Sequence, residues 1–287
     1  MPLEQSTLDQ LVDTVRRFVN KRLIPLEEQV ANDDLIPSEI IEEMKELGLF
    51  GLTIPTEYGG LGLNTYEECL VVLELGRTAP AFRSIFGTNN GIGSQGLVMD
   101  GTQEQKDYYL PKLAYGTMIP CFGLTGPNNG SDATGSIDKG SVVEVDGKLK
   151  LRVRLNKRYI TLAPVANLMG IAFELEDPAA LLGKSGVTVA LVERDHPGLI
   201  QDTHHNPLNA GFPNGTIKGE IDIELDQVIG GEQNIGNGWK MLMECLSAGR
   251  GVSLPATANA SSKTATYLSL IHISEPTRQA EISYAVF

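Results

Sequence analysis

The sequence predicts an α+β protein in which a helical N-terminal domain is followed by a middle antiparallel β domain and the start of a C-terminal helical domain. Apolar residues recur at helical spacing up to about Met118. Near Ile119 the pattern changes to short β-type runs separated by turns, with no helical crossovers between them. Helical spacing returns at Gly238. We therefore divide the chain into residues 1–118, 119–231, 232–267 and 268–287.

Four stretches of the N-terminal domain have amphipathic helical spacing, and they begin near Leu8, Ser38, Thr65 and Thr102. Pro25 ends the first stretch, because proline lacks the backbone N–H that a helix interior requires. The third stretch opens at residues 65–68, which have the form of a capping box. These signals predict a bundle of helices before the first strand.

The middle domain contains five runs of β-type composition, at residues 141–145, 149–155, 168–175, 187–192 and 217–225. Turn pairs such as Asp146-Gly147 and Asn214-Gly215 lie between or next to these runs. Consecutive strands that are joined by turns favour antiparallel pairing over a doubly wound sheet. The middle domain is therefore predicted to be one antiparallel β unit.

Composition excludes several classes of function. With 287 residues and 41% hydrophobic content the chain can bury a sizeable core. Its formal net charge of -13 argues against nucleic-acid binding and against docking on an anionic membrane. No apolar run approaches the ~20 residues that span a bilayer. Three distant cysteines, Cys69, Cys121 and Cys245, are typical of a reduced, cytoplasmic protein.

Two segments carry most of the chemical information, residues 121–132 and residues 156–161. Each has the form of a strand that ends in a polar turn, and together they supply hydroxyls, backbone N–H groups and an aromatic ring. Glycine permits close approach of the backbone to a ligand, and N–H groups in such turns favour anions. This set suits a flat, phosphate-carrying cofactor better than a metal or a peptide. Taken singly, residues 128–132 also fit an ordinary turn, and Tyr159 and Ile160 fit a core strand.

Further landmarks occur in a fixed order at residues 46–55, 57–62, 101–106 and 109–113. With the two segments above, they make residues 8–267 resemble the acyl-CoA dehydrogenase family of flavoenzymes. Residues 120–122 and 157–164 are most similar to the long-chain, FadE-type branch. The resemblance implies a helical domain, a β domain and a C-terminal four-helix bundle that is largely missing here.

The resemblance also implies a function. It is the FAD-dependent α,β-dehydrogenation of fatty acyl-CoA thioesters to trans-2-enoyl-CoA in fatty acid β-oxidation. The implied cofactor is FAD, whose flavin carries out the electronic chemistry while the protein orients it. An electron-transfer flavoprotein is the implied electron acceptor, acyl-CoA is the substrate, and the full-length protein is expected to form homo-oligomers. No nucleic acid and no membrane segment are expected.

Specific residues take roles from the resemblance. The cofactor would contact the flavin-facing residues Phe122, Leu124, Thr125, Tyr159, Ile160 and Thr161, and its pyrophosphate would lie near Gly130 and Ser131. Tyr159 would stack beside the isoalloxazine ring, and the Thr161 hydroxyl would donate to flavin N5. Acyl-CoA would contact Ser131, Ser247 and Arg250.

The chain departs from the family pattern at three positions. Gly126 and Tyr159 replace an acidic residue and a tryptophan, and Gly249 stands where some members have a catalytic glutamate. The base is therefore expected in the C-terminal bundle, so that no catalytic residue is assigned here and the chain itself is expected to be inactive. An acyl-CoA oxidase-like or nitroalkane-oxidising flavoenzyme remains an alternative, as does a non-catalytic binding member of the superfamily.

Three further segments are assigned without a function. Residues 268–287 resemble translated sequencing adapter, and helical character is expected to fade after Tyr267. Residues 91–96 match Gly-x-Gly-x-x-Gly, but no strand precedes them, so close helix packing is favoured over dinucleotide binding. His204 and His205 are expected in an exposed loop, because nearby residues do not supply a set of metal ligands.

Overall fold

The computed structural model describes residues 2–133, 135, 137–207 and 211–274, with the backbone alone for residues 203, 248–250 and 271–274. Seven helices precede the sheet: α1 (Gln5–Phe18), α2 (Glu27–Asp33), α3 (Ser38–Glu46), α4 (Thr65–Leu75), α5 (Pro80–Asn90), α6 (Gln95–Asp100) and α7 (Gln103–Ala114). Seven strands follow: β1 (Pro120–Gly123), β2 (Lys139–Val145), β3 (Lys148–Thr161), β4 (Leu168–Glu176), β5 (Gly186–Glu193), β6 (Leu199–His205) and β7 (Asn214–Glu224). Two helices, α8 (Gly238–Ala248) and α9 (Leu254–Ser274), complete the described chain.

This order confirms the predicted α+β architecture, with α8 and α9 as the part of the C-terminal helical region that is present. The capping box of α4 begins one residue earlier than predicted. The Asn64 side chain accepts from the backbone N–H of Glu67 at 3.1 Å, and Glu67 accepts from the Asn64 N–H at 2.9 Å. Thr102 caps α7 in the same way, where the sequence predicts that helix to start.

Two prolines are each preceded by a stretch of π-helix. Residues Val19–Leu23 lie before Pro25, and residues Gly249–Ser253 lie before Pro255. Proline cannot donate a hydrogen bond to the carbonyl four residues earlier, and its ring clashes with that carbonyl. The helix therefore adopts a wider, π-helical turn before each proline. The second of these turns joins α8 to α9 beside the cleft described below.

The seven strands form one sheet in the order β1-β4-β2-β3-β7-β6, and β5 also pairs with β4. Most neighbours are antiparallel, as the turn-linked pattern predicts. The strand β4 is the exception, because it runs parallel to both β1 and β2. The short strand β1 ends at Gly123, which pairs with Ile171 in β4.

Strand β6 corrects one expectation. His204 and His205 lie at the end of β6, paired with Gly215 and Asn214 of β7, rather than in an exposed loop. The Nε2 atom of His204 lies 3.0 Å from the Asp34 carboxylate. Within the described residues, no group of three or more His, Cys, Asp or Glu side chains is arranged to hold a metal ion.

Buried amide side chains hold the helices to the sheet. Asn89 of α5 donates to the backbone oxygens of Leu113 and Met118 at 2.9 and 2.8 Å. Gln105 of α7 donates to the carbonyls of Asp226 and Val228 at 2.8 and 2.7 Å, after the end of β7. A buried backbone carbonyl without a partner is costly, so these bonds fix where α5 and α7 lie relative to the strands.

Helix α9 packs against α4 through small residues. A Cβ on Gly76 would lie 2.8 Å from the Cβ of Ala260, so glycine is required for this close approach. The helix continues past Tyr267 to Ser274, and the predicted loss of helical character after Tyr267 is therefore wrong. Residues 275–287 of the adapter-like segment lie outside the described part of the chain. No described helix combines the length and the apolarity needed to cross a bilayer.

Candidate functional site

A cleft of about 350 Å³ lies where the ends of β1 and β3 face α5 and the junction of α8 with α9. Six residues of the two cofactor-like segments line it: Phe122, Leu124, Thr125, Tyr159, Ile160 and Thr161. The two groups of residues are 34 to 39 positions apart in the sequence. The fold therefore brings the two segments to one place, which is the arrangement that a shared ligand requires.

Phe122 occupies the cleft because β4 has a glycine beside it. The register pairs Phe122 with Gly170, and a Cβ at Gly170 would lie 2.8 Å from the Phe122 ring. A Cβ at that distance would force the ring to move. Gly170 therefore leaves room for the Phe122 ring, which forms part of the cleft wall.

Asn129 closes the loop that follows β1. Its Oδ1 accepts from the Gly126 N–H at 2.6 Å, and its Nδ2 donates to the Leu124 carbonyl at 3.1 Å. A Cβ at Gly126 would lie 2.7 Å from that Oδ1 and 3.1 Å from the Asn156 carbonyl. This contact gives a physical reason for glycine at a position where the family pattern has an acidic residue.

Lys157 also holds the loop that follows β1. Its side chain is fully buried, and its ammonium donates to the carbonyls of Leu124 and Ala172 at 3.2 and 2.8 Å. The Asp138 carboxylate lies 3.1 Å away and supplies the opposite charge. Burial lowers the pKa of Lys157, and Asp138 opposes this shift. One lysine of β3 thus binds both β4 and the loop that follows β1.

A β-bulge in β3 places Tyr159 at the cleft. Lys157 pairs with Ile217 and Ile160 with Gly215, so β3 has one residue more than β7 across this step. Tyr159 has a φ of 57°, in the left-handed region. Its ring is 55% exposed and lies 4.9 Å from the His205 ring, measured between centroids. Without the extra residue, strand alternation would turn Tyr159 into the core.

The last residues of β3 complete this wall. Ile160 is buried and Thr161 is half-buried, and both line the cleft. The Arg158 N–H donates to the Thr125 carbonyl at 3.0 Å, which ties the bulge to the end of the first segment. As a result, Thr125 and Thr161 lie on the same wall of the cleft, at the ends of the two segments.

The other predicted contacts lie elsewhere or are not described. Gly130 and Ser131 are on an exposed loop and do not line the cleft. Ser247 is exposed on α8, and its hydroxyl donates to the Glu244 carbonyl at 2.8 Å. The backbone of Arg250 lies in the π-helical turn, but its side chain lies outside the described part of the chain. The roles of these four residues stay predictions.

The opposite wall was missed by the sequence analysis. Helix α5 contributes Arg83, Ser84, Gly87 and Thr88 to the cleft. The signal was present, because Arg83 and Ser84 interrupt an otherwise apolar stretch at residues 81–86. The sequence also indicated Lys157, because this lysine occupies the next inward-facing position after Leu151, Val153 and Leu155. A cation in a core position needs a specific partner.

Behind Arg83 lies a second space of about 220 Å³, which we call the polar chamber. It is lined chiefly by the polar residues Thr53, Asn64, Thr65, Glu68, Asn90 and Gln95. Arg83, Gly87 and Gly91 belong to both spaces. The chamber is therefore a polar extension of the cleft, reached past the Arg83 side chain.

Several known proteins are similar to this chain in sequence. The family model for the acyl-CoA dehydrogenase N-terminal domain matches residues 5–117. An acyl-CoA dehydrogenase of Bacillus subtilis is 30% identical over 238 residues, which is 82% of this chain and 60% of that protein. A (2S)-methylsuccinyl-CoA dehydrogenase of Cereibacter sphaeroides is 33% identical over 258 residues, which is 85% of this chain and 45% of that protein.

A solved structure has the same fold. It is an acyl-CoA dehydrogenase of Bacillus anthracis complexed with FAD, with a TM-score of 0.83 at 24% identity. The match covers 96% of this chain and 46% of that chain. The chain thus spans between 45% and 60% of the lengths of the two sequence relatives above. Residues 5–117 match the acyl-CoA dehydrogenase N-terminal domain, and the chain is similar to acyl-CoA dehydrogenases over most of its length.

Proposed function

We propose that the protein to which this chain belongs is an FAD-dependent dehydrogenase that oxidises the α,β bond of acyl-CoA thioesters. The single observation that carries the proposal is the cleft, where both cofactor-like segments meet on one wall and a helix forms the other. Relatives that are named acyl-CoA dehydrogenases support the reaction, and the FAD complex of a protein with this fold supports the cofactor.

The residues of the cleft fit a flat aromatic cofactor. The Phe122 ring lies close to Gly170 and lines the cleft, while the bulge presents the exposed Tyr159 ring to the same cleft. Aromatic faces stack on planar rings, and such contacts add about 0.5–1.5 kcal/mol beyond the area they bury. The hydroxyls of Thr125 and Thr161 supply hydrogen bonds at the edge of such a ring. FAD, when bound, would accept the hydride from the β-carbon of the substrate.

The protein's own contribution is orientation. Lys157 and Asn129 hold the Leu124 carbonyl, so the 122–126 backbone cannot drift when a ligand enters. The bond from the Arg158 N–H to the Thr125 carbonyl keeps Thr125 and Thr161 in register. Groups fixed before binding lose little entropy on binding, which favours both affinity and rate.

We further propose that the catalytic base is a residue other than the described residues that line the cleft. Among the described residues that line the cleft, none has a carboxylate side chain. Gly249, at the position where some members have a glutamate, cannot accept a proton. An acyl-CoA oxidase-like reaction uses the same cofactor site and differs in its base and in access of oxygen, so this alternative stays open. Fatty acid β-oxidation, an electron-transfer flavoprotein as acceptor and homo-oligomers are likewise proposals drawn from the resemblance.

The proposal is tested by adding FAD and then an acyl-CoA to the purified chain and following the flavin spectrum. We expect FAD to bind with a change in flavin absorbance and fluorescence, and acyl-CoA to perturb the spectrum of bound flavin without bleaching it. Thr161→Ala should alter the spectrum of bound flavin, whereas Thr264→Ala on the outer part of α9 should not. Absence of any FAD binding by a chain shown to be folded would contradict the proposal.

A further inference from the structure

His205 does not line the cleft, but its ring packs against a residue that does. The centroids of the His205 and Tyr159 rings are 4.9 Å apart, and the two planes are inclined by 45°. Ring centroids separated by about 4.5–7 Å are in favourable contact. The function proposed above gives this histidine no role, although it is the aromatic neighbour of a ring that lines the cleft.

Tyr159 is weakly held by its own strand. It is the extra residue of the bulge, has a φ of 57° and is 55% exposed. The exposed guanidinium of Arg158 lies 4.7 Å from the centre of the Tyr159 ring, and the half-buried His205 ring lies on it as well. A half-buried imidazole has fewer rotamers available than an exposed arginine, so His205 is the firmer of these two supports.

The position of His205 is set by strand pairing. His205 pairs with Asn214 of β7, and Asn214 also pairs with Thr161 of β3. Directly paired residues place their side chains on the same face of a sheet, so these three side chains form a row that reaches the cleft at Thr161. The preceding residue, His204, faces the other way, and its Nε2 atom lies 3.0 Å from the Asp34 carboxylate.

The polar edge of the His205 ring explains why a histidine suits this position. Its Nε2 atom is buried and has no hydrogen-bond partner among the described residues, and the same is true of the Oδ1 atom of Asn214, which is 6% exposed. Oδ1 is an acceptor and an imidazole N–H is a donor, so the two groups complement each other across one strand pair, directly or through one water. A ring held at its polar edge keeps its plane, and Tyr159 packs on that plane.

We propose that His205 is a positioning residue of the cofactor site, which holds the Tyr159 ring toward the cleft before FAD binds. This inference rests on the proposed function and deepens it, because the wall that would stack on the flavin then depends on a residue outside the cleft lining. A side chain that is ordered in advance does not have to be immobilised when the ligand arrives, which favours affinity.

The test measures the affinity of the purified chain for FAD by quenching of flavin fluorescence. His205→Ala should weaken FAD binding about threefold or more, with the loss caused by Tyr159→Gly as its upper limit. His205→Phe restores a ring at this position and should recover most of the affinity. His204→Ala is the matched control, because it removes the same side chain from the neighbouring residue, which contacts Asp34 instead. It should bind FAD as the wild-type chain does.

A double variant separates positioning from a general effect on the sheet. In a Tyr159→Gly background, His205→Ala should cause no further loss of FAD affinity, because no ring remains to be positioned. The visible circular dichroism of bound flavin should change in both single variants and not in His204→Ala, and urea denaturation should show that each variant is folded.

Two results would overturn the role of His205 and leave the FAD site standing. One is an unchanged FAD affinity in His205→Ala, and the other is the same loss of affinity with and without the Tyr159 ring. Absence of FAD binding by the folded wild-type chain would overturn both the proposed function and this inference.

Discussion

The two halves of β3 differ in how regularly their side chains alternate between the core and the surface. From Lys148 to Asn156 the strand alternates between outward charges and inward apolar residues, and each residue from Lys150 onward faces a partner on β7. From Lys157 to Thr161 the inward position holds a lysine, two consecutive residues are exposed, and Tyr159 has a positive φ. The regular half adds stability to the sheet. The irregular half bears the ligand-facing residues, and its geometry depends on contacts from other strands.

Removing the Lys157 ammonium should have the largest effect on the irregular half. Lys157→Met removes one donor from the Leu124 and Ala172 carbonyls and leaves the Asp138 carboxylate without its cation, and breaking a buried pair in this way costs about 3–5 kcal/mol. We expect urea denaturation to show a loss of about 3 kcal/mol in the free energy of unfolding, together with weaker FAD binding.

A second variant separates charge from packing. Adding Asp138→Asn to Lys157→Met removes the carboxylate left unpaired and should restore part of the lost stability. A double-mutant cycle then gives the coupling between the two side chains. Additive losses would show that Lys157 acts without Asp138 and would contradict the account of a buried pair.

Gly126→Ala should have the next largest effect. The new Cβ would meet the Asn129 amide that closes the loop, so the bonds made by Asn129 to Gly126 and Leu124 would be lost or stretched. Two hydrogen bonds at about 0.5–1.5 kcal/mol each imply a loss of about 1–3 kcal/mol in the free energy of unfolding, which urea denaturation would measure.

Gly130→Ala is the control for Gly126→Ala, since nothing lies within 4 Å of a Cβ at that position of the same loop. It should change the free energy of unfolding by less than about 0.5 kcal/mol. Equal effects of the two substitutions would show that the Asn129 contacts do not decide the conformation of the loop.

Tyr159→Gly should separate stability from ligand binding. Relief of the positive φ should offset the lost ring contacts or raise the free energy of unfolding by up to about 1 kcal/mol. Loss of the ring should weaken FAD binding about threefold to tenfold, as measured by quenching of flavin fluorescence.

Asp146→Gly provides the comparison for Tyr159→Gly. Asp146 has a φ of 53° in the turn between β2 and β3, away from the cleft. The same relief of backbone strain should occur there, with no change in FAD affinity. If both variants bound FAD equally, Tyr159 would have no part in the site.

The smallest loss of stability is expected from a substitution in the regular half of β3. Arg152 and Asp222 face each other across β3 and β7 and form two charge-assisted bonds at 2.7 and 2.8 Å. The hydrogen bond from Arg152 lowers the pKa of Asp222 below its ordinary value of 3.8. The pair's contribution is therefore complete above that value and is lost as the pH falls through the lower, folded-state pKa.

Because the pair is solvent-exposed, Asp222→Asn should cost only about 0.2–1 kcal/mol at neutral pH and even less in high salt. The difference in unfolding free energy between the two proteins should shrink as the pH falls below 3.8. A difference that grew with acidity would contradict the assigned direction of the pKa shift.

The difference between the two halves of β3 also shows which features could be predicted from the sequence. Alternation and capping residues identified α1, α3, α4, α7, α8 and most strands, because those signals are local, but they did not identify α2, α5 or α6. The bulge at Tyr159 and the parallel pairing of β4 depend on contacts distant in sequence, and no local pattern specifies them. Six predicted site residues lie together in the cleft because they belong to motifs, whereas Arg83 and Lys157 act through their positions in the fold.

The most direct test of the central claim is amide hydrogen exchange on the purified chain with and without FAD. The account predicts that residues 122–126 and residues 158–162 gain protection together, while the regular half of β3 changes little. Loss of this joint response in a folded Lys157→Met variant would support the role given to that lysine. Protection confined to one segment, or to neither, would contradict a single cofactor site built from both.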